Sequence, residues 1–366
     1  MIHRVRASIN LNALSHNLRV ARQRAGLRKL LAVIKANAYG HGLLPVAEAL
    51  SEADAYAVTD IEEAEALAGI LDPASIVILQ GILEHSDIPR IAQAGFQVVI
   101  HREAELLWLE QALDSKNPKT PLTFWLKMNS GMGRLGIRPD RYLAVYQQLK
   151  AKPWCRGIVA MTHLANANLP DSALNLEQLE TFTRVSSEIV DCSSSIAASS
   201  ALLAGFGENS EWVRPGIMLY GSSPFPYSNA GLRRDALGLQ AVMSLQAKII
   251  AIQHCRAGDN VGYCSQFICP QDMPVGIVSI GYADGYPSNA PNGTPVLVDG
   301  VRTVSCGRVS MDMIAVDLSP VPGAELGSVV SLWGDSLSLD EVAEHTGILS
   351  YNLCCSIAPR VERVYG

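Results

Sequence analysis

At 366 residues the chain is longer than one core usually covers, so two domains are expected, although a barrel alone can reach this length. A hydrophobic share of 48% against 17% charged residues is that of a well-packed globular protein and excludes a disordered one. With 29 basic and 35 acidic residues the net charge is −6, without a basic tail, which argues against nucleic-acid binding and leaves any phosphate to a local site.

The opening segment, Met1-Ile2-His3-Arg4-Val5-Arg6, lacks the apolar run and cleavage site of a signal peptide, and no apolar stretch is long enough to span a bilayer. A cytoplasmic protein with no membrane contact is expected, with its eight scattered cysteines reduced. The eight histidines show no metal-ligand spacing, so no metal is predicted. A strand-like segment at 5–9 has no assignable sheet, and Gly26 closes the first helix. Strands are then predicted at 30–35, 55–59, 76–80, 96–100, 122–128, 158–163, 195–200 and 212–220. Their hydrophobicity is continuous rather than alternating, which suits strands covered on both faces. Between them run helical patterns: Asp60 and Glu63 read as an N-cap with its N3 glutamate, and Leu179, Phe182, Ser186 and Ile189 recur at helical spacing.

Eight β–α units in succession predict an α/β fold with a (β/α)8 TIM-type barrel, with a doubly wound sheet as the alternative. The turn-rich stretch 222–231 reads as a linker. Beyond it Met243, Leu245, Ala247 and Ile249 alternate with period two, and 296–304 reads as a hairpin turning at Asp299-Gly300. The expected division is a barrel over 1–230, whose first strand has no settled domain, followed by a mainly β C-terminal domain over 231–366.

Lys35 closes a buried apolar strand, where an isolated ammonium costs several kcal/mol and must be paired, deprotonated or covalently modified. A salt-bridged rim lysine and a Schiff-base nucleophile both satisfy that requirement. Tyr39, in the following loop, reaches a cofactor phosphate or simply packs the loop. After the 122–128 strand, Gly131, Gly133 and Gly136 surround Arg134, a planar fork suited to a carboxylate or phenolate. His163 and Ser199 are predicted to end strands and Arg214 to lie within one, at the face where barrels hold their chemistry; the loops after the last two strands commonly hold phosphate. For Arg214 an ion pair is the alternative. In the second domain the segments around Tyr263, Tyr282 and Met311 are compact motifs, equally suited to a subunit interface.

Taken together, AVIKANAYGHG, MNSGMGRLG, MTHLA, WVRPGIMLYG, VGY, GYADGYP and GRVSMDM resemble the alanine racemase family, in that family's order along nearly the whole chain. The resemblance implies a homodimer that uses pyridoxal 5'-phosphate to interconvert L- and D-alanine, by a two-base mechanism on the external aldimine. It implies that Lys35 carries the cofactor and is one base, and that Tyr263, from the partner, is the other. It further implies that Tyr39, Ser199, Gly216 and Ile217 hold the phosphate, that Arg214 faces the pyridine nitrogen, and that His163 and Arg214 lower the Tyr263 pKa. Arg134 is implied at the phenolic oxygen and substrate carboxylate, Lys127 as a carbamylated lysine, and Tyr282 and Met311 at a narrow entrance. Two departures stand out: Pro359 replaces a tyrosine of many members before Arg360, and Ala198 replaces an asparagine before Ser199. Three alternatives are weighed. A non-catalytic cofactor carrier would lack the second domain, a related decarboxylase would oppose the pyridine nitrogen with an acid rather than Arg214, and a class I aldolase would lack cofactor absorbance.

Overall fold

Short apolar runs without a polar face cannot present either side to water, and in this chain eight of them close on one another. The computed structural model describes residues 4–114 and 121–366; residues 1–3, part of the opening segment read above, and 115–120 lie outside the described residues. The first strand, β1 (Arg6–Ile9), belongs elsewhere. The next eight are β2 (Lys29–Val33), β3 (Ala55–Val58), β4 (Ile76–Ile78), β5 (Gln97–Ile100), β6 (Leu122–Lys127), β7 (Cys155–Met161), β8 (Ser193–Ala198) and β9 (Trp212–Arg214). Each pairs in parallel with the next, and β2 returns to β9 with Leu30 opposite Val213, closing a barrel and ruling out the doubly wound sheet. Leu30 and Leu31 are wholly buried, worth about 1.5–3 kcal/mol each.

The strands give way to turns near the ends of the apolar runs. The Val33 amide donates to Pro215 O and the Ile34 amide to Ala57 O, both at 2.9 Å, and the chain then turns at Lys35. Pro215 has no N–H to continue β9, and the apolar run Ile217–Tyr220 becomes a 3-10 turn instead of extending the strand. Lys35, His163 and Ser199 therefore lie just beyond their strands rather than at the final residue, and Ser199 opens the helix Ser199–Leu203. Outside the barrel, Asp60 caps the helix Ile61–Leu67 by accepting the Glu63 amide, as its sequence spacing predicts.

The chain forms two units: one comprises Leu18–Ala38 and Gly42–Leu219, and the other ends its first segment at Asn17 and contains Tyr39–His41 and Tyr220–Gly366. The second unit is mainly β. Its long strand β10 (Met243–Cys255) buries Met243, Leu245, Ala247 and Ile249 on one side, the predicted alternation. It takes β1 as an antiparallel neighbour, which settles where the first strand belongs. Pro295–Val298 and Val301–Val304 form the hairpin, with Asp299 and Gly300 at φ 47° and 83°, the two left-handed positions that a two-residue turn needs. Among the described residues no helix is long and apolar enough to cross a membrane.

Candidate active site

Lys35 opens a turn of unusual hand. Ala36, Asn37, Ala38 and Tyr39 have φ of 56°, 52°, 53° and 51°, all left-handed and none a glycine. This conformation costs roughly 1–2 kcal/mol per residue, so neighbours must hold it. The Ala38 amide donates to Ile34 O at 2.8 Å, and the Asn37 amide donates to Glu63 Oε1 at 2.8 Å. Asn37 Oδ1 in turn accepts from the Leu43 amide at 2.9 Å. The Asp60-capped helix thus braces the lysine's turn through its own N3 residue. Backbone strain of this kind persists where the surroundings over-determine it, commonly at functional sites.

Lys127 ends β6 and is only 7% exposed. Burial, reinforced by the charges of Arg214, Arg134 and Lys35, pulls its pKa down to about 8. The loop beyond it is folded back by the Ile137 amide on Lys127 O at 2.7 Å and by Asn129 Oδ1, which accepts the Gly131 and Gly133 amides at 3.3 and 3.0 Å. Gly136 makes the return possible: at φ 129° a Cβ there would lie 2.4 Å from Asn129 N. Arg134 stands exposed on this loop and makes no ion pair among the described residues.

Arg214, the last residue of β9, is 3% exposed. Its Nη1 donates to Ser195 Oγ at 2.6 Å, and Nη2 to Thr162 O at 2.7 Å, Ile196 O at 3.0 Å and His163 Nδ1 at 3.3 Å. Burial lowers its pKa to about 9, which leaves it a cation at neutral pH. A guanidinium only donates, so His163 Nδ1 is the acceptor and the ring proton sits on Nε2. His163 is kept neutral, its pKa well below the usual value, by burial and by the charges of Arg214, Lys127, Arg134 and Lys35. Every charge acting on Lys127 and His163 is therefore positive. Ser199, at the start of its helix, accepts the Gly216 amide at 2.8 Å and the Met218 amide at 3.4 Å through Oγ.

Four cations and a neutral histidine thus gather where the barrel strands end, beside a hydroxyl that collects amides. Residues 9–224 match the alanine racemase N-terminal domain and 242–365 match its C-terminal domain. The chain is 44% identical to the alanine racemase of Janthinobacterium sp. (strain Marseille), over 98% of each chain. Its structure superposes on the biosynthetic alanine racemase from Pseudomonas aeruginosa with a TM-score of 0.93 at 40% identity, covering 100% of both. The alanine racemase from Bartonella henselae, which contains covalently bound pyridoxal phosphate, gives 0.88 at 28% identity, again covering 100% of both.

The chain belongs to the alanine racemase family. It is an enzyme that interconverts L- and D-alanine. Of the remaining residues that the family motifs single out, Ile217 is buried in the barrel unit next to Gly216, and the others lie in the second unit. Tyr39 is 7% exposed and packs against Tyr220, with ring centroids 4.7 Å apart, and Tyr351, at 5.9 Å. Tyr263 stands 68% exposed, between the short paired strands Asn260–Val261 and Phe267–Ile268. Tyr282 and Met311 are brought together by backbone bonds, the Tyr282 and Ala283 amides donating to Ser310 O and Met311 O at 3.1 and 3.0 Å. Arg360, beside the Pro359 departure, donates to the wholly buried Asp284, whose Oδ2 accepts the Gly281 amide at 3.0 Å and so fixes the Tyr282 turn.

Sequence reasoning missed the residues that hold this array: Glu63 as a brace, Asn129, Thr162, Ser195 and Gln178. Glu63 was legible only as a capping residue. The others are ordinary polar residues whose placement no local pattern announces, and on the helix Ala173–Ser186 Gln178 shares the buried face with Asn175, Phe182 and Val185.

Proposed function

We propose that the chain racemises alanine with pyridoxal phosphate held on Lys35 Nζ, using Lys35 and the partner subunit's Tyr263 as bases on opposite faces of the substrate. The observation that carries this reading is the all-positive environment of Lys127 and His163, created by Lys35, Arg134, Arg214 and Lys127 itself. Such a site suits a cofactor bearing phosphate and a ring oxygenate, together with a substrate carboxylate. The donor set also fits: Ser199 Oγ lies beside the turn that carries the Gly216 and Ile217 amides, the hydroxyl and N–H groups a phosphate takes, and a relative 28% identical contains this cofactor covalently bound. When bound, the cofactor supplies the electron withdrawal that acidifies the alanine α-proton.

Lys35 removes or returns that proton from one side, and Tyr263 of the partner subunit does so from the other. Two faces are needed, because each enantiomer loses its proton where the other gains one. His163 Nε2–H is the donor left to hydrogen-bond the oxygen of the partner's Tyr263 and hold it in place. Arg214 spends Nη1 and Nη2 on acceptors of this chain, while its Nε–H has no partner among the described residues. That N–H is assigned to the pyridine nitrogen, which a guanidinium still charged at neutral pH would orient without protonating. Ser199, the Gly216 and Ile217 amides and the Tyr39 hydroxyl hold phosphate.

Arg134 takes the substrate carboxylate and the cofactor's phenolic oxygen. Lys127 in its neutral form adds carbon dioxide at Nζ and releases a proton, and the resulting carbamate orients the Arg134 guanidinium. The partner's Tyr282 and the partner's Met311 narrow the entrance to favour a methyl side chain. Exposure of Tyr263, Tyr282 and Met311 supports their use by a second copy of the chain.

Borohydride reduction of the holoenzyme followed by peptide mapping should place the cofactor on Lys35, and D-amino-acid oxidase should detect product from L-alanine. Fixation on another lysine overturns the reading.

A further inference from the structure

The loop bearing Arg134 and the residues around His163 come from different β–α units, yet one side chain joins them. Gln178, on the helix Ala173–Ser186, is wholly buried. Its Oε1 accepts the Ala165 amide at 2.8 Å, and its Nε2 donates to His163 O at 3.0 Å and to Ser130 Oγ at 3.3 Å. Ser130 Oγ lies 2.8 Å from Thr162 Oγ1, which donates to Met128 O at 3.1 Å. The direction of every proton in this chain follows. Thr162 has one hydroxyl proton and gives it to Met128, so Ser130 donates to Thr162, and only the Gln178 amide is left to donate to Ser130. Thr162 O receives the Arg214 guanidinium at 2.7 Å, so the same chain ends on the group that contacts His163 Nδ1. Gly131 lets the loop come this close: a Cβ there, at φ 146°, would lie 3.0 Å from Gln178 Cγ.

We propose that Gln178 is a positioning residue, whose one acceptor and two donated bonds set the Arg134 loop and the His163 ring in register with each other. It deepens the proposed function, since it acts on two groups assigned there, but its test reads alanine racemisation and the histidine directly. A side chain that merely fills the core is replaceable by an apolar one of equal length. A side chain that acts by donating is replaceable neither by that nor by an isosteric carboxylate, which keeps the acceptor for Ala165 but sets oxygen against His163 O.

The experiment compares Gln178→Met and Gln178→Glu holoenzymes with the wild type in kcat for alanine and in the 15N shifts of the His163 ring nitrogens, with circular dichroism as the folding control. Both variants are expected to lose at least tenfold in kcat, with the His163 Nδ1 resonance moving as its contact to Arg214 changes. Wild-type kcat in Gln178→Met overturns the proposal, as does a lowered kcat with unchanged His163 resonances, the mark of a purely structural role. If neither variant folds, Ser130→Ala carries the test: a loss of about threefold or more in kcat with a displaced His163 signal is expected, and wild-type values for either overturn it. A cofactor label on a lysine other than Lys35 would defeat the proposed function while leaving these readings interpretable.

Discussion

At the barrel mouth the candidate groups are fixed by their own chain: Arg214 has four acceptors, His163 has a defined tautomer, and the Lys35 turn is braced by Glu63. In the second unit Tyr263, Met311 and Tyr282 stand 68%, 55% and 44% exposed, with Tyr282 and Met311 joined through backbone bonds and Tyr263 in the turn between two short paired strands. The first arrangement resists reorganisation when charge moves, as a preorganised site should. The second leaves large, partly apolar side chains in water, which makes sense where another surface covers them. The contacts of the chain itself account for the first region, whereas the proposed role of the second rests on a second copy.

The sharpest way to break this contrast is to let two dead enzymes repair each other. In a heterodimer of Lys35→Ala and Tyr263→Phe subunits, a site shared between chains carries both defects once and neither defect once. Random reassociation makes about half of all dimers mixed, so activity is expected to rise from near zero to roughly a quarter of wild type. No recovery after demonstrated subunit exchange would place both residues on one chain.

A smaller effect tests the cationic mouth. With its pKa near 8, set by burial and neighbouring cations, Lys127 is mostly charged at pH 6 and about half neutral at pH 8. Only the neutral amine adds carbon dioxide, so a carbamate signal from 13C-bicarbonate is expected to grow as pH rises through that range and to vanish in Lys127→Ala. A signal that is flat with pH, or that persists in the variant, would contradict the assignment. The smallest effect lies under the Lys35 turn: Asp60→Ala removes the cap of the bracing helix and should cost about 1 kcal/mol of stability in denaturant unfolding. Activity near wild type would mean that the Glu63 bond to Asn37 holds the turn without that cap.

Much of this was legible in order along the chain. The eight apolar runs, the Asp60–Glu63 cap, the alternation from Met243 to Ile249 and the Asp299-Gly300 turn are local patterns, because each depends on residues a few positions apart. Lys127 and Arg214 were legible as candidate site residues through their motifs, but not the lowered pKa values that burial imposes on both and neighbouring cations deepen at Lys127. The strand ends were misplaced at Lys35, His163 and Ser199 because an apolar run does not mark where a paired strand gives way to a turn or a helix. What only the tertiary structure decided is the convergence of groups far apart in sequence: the pairing of β1 with β10, the left-handed turn braced across from Glu63, and the Gln178 chain linking two loops. A periodicity reports which side of an element is apolar, whereas these contacts depend on barrel closure, which brings distant strand ends to a common face and fixes the direction of each donated proton.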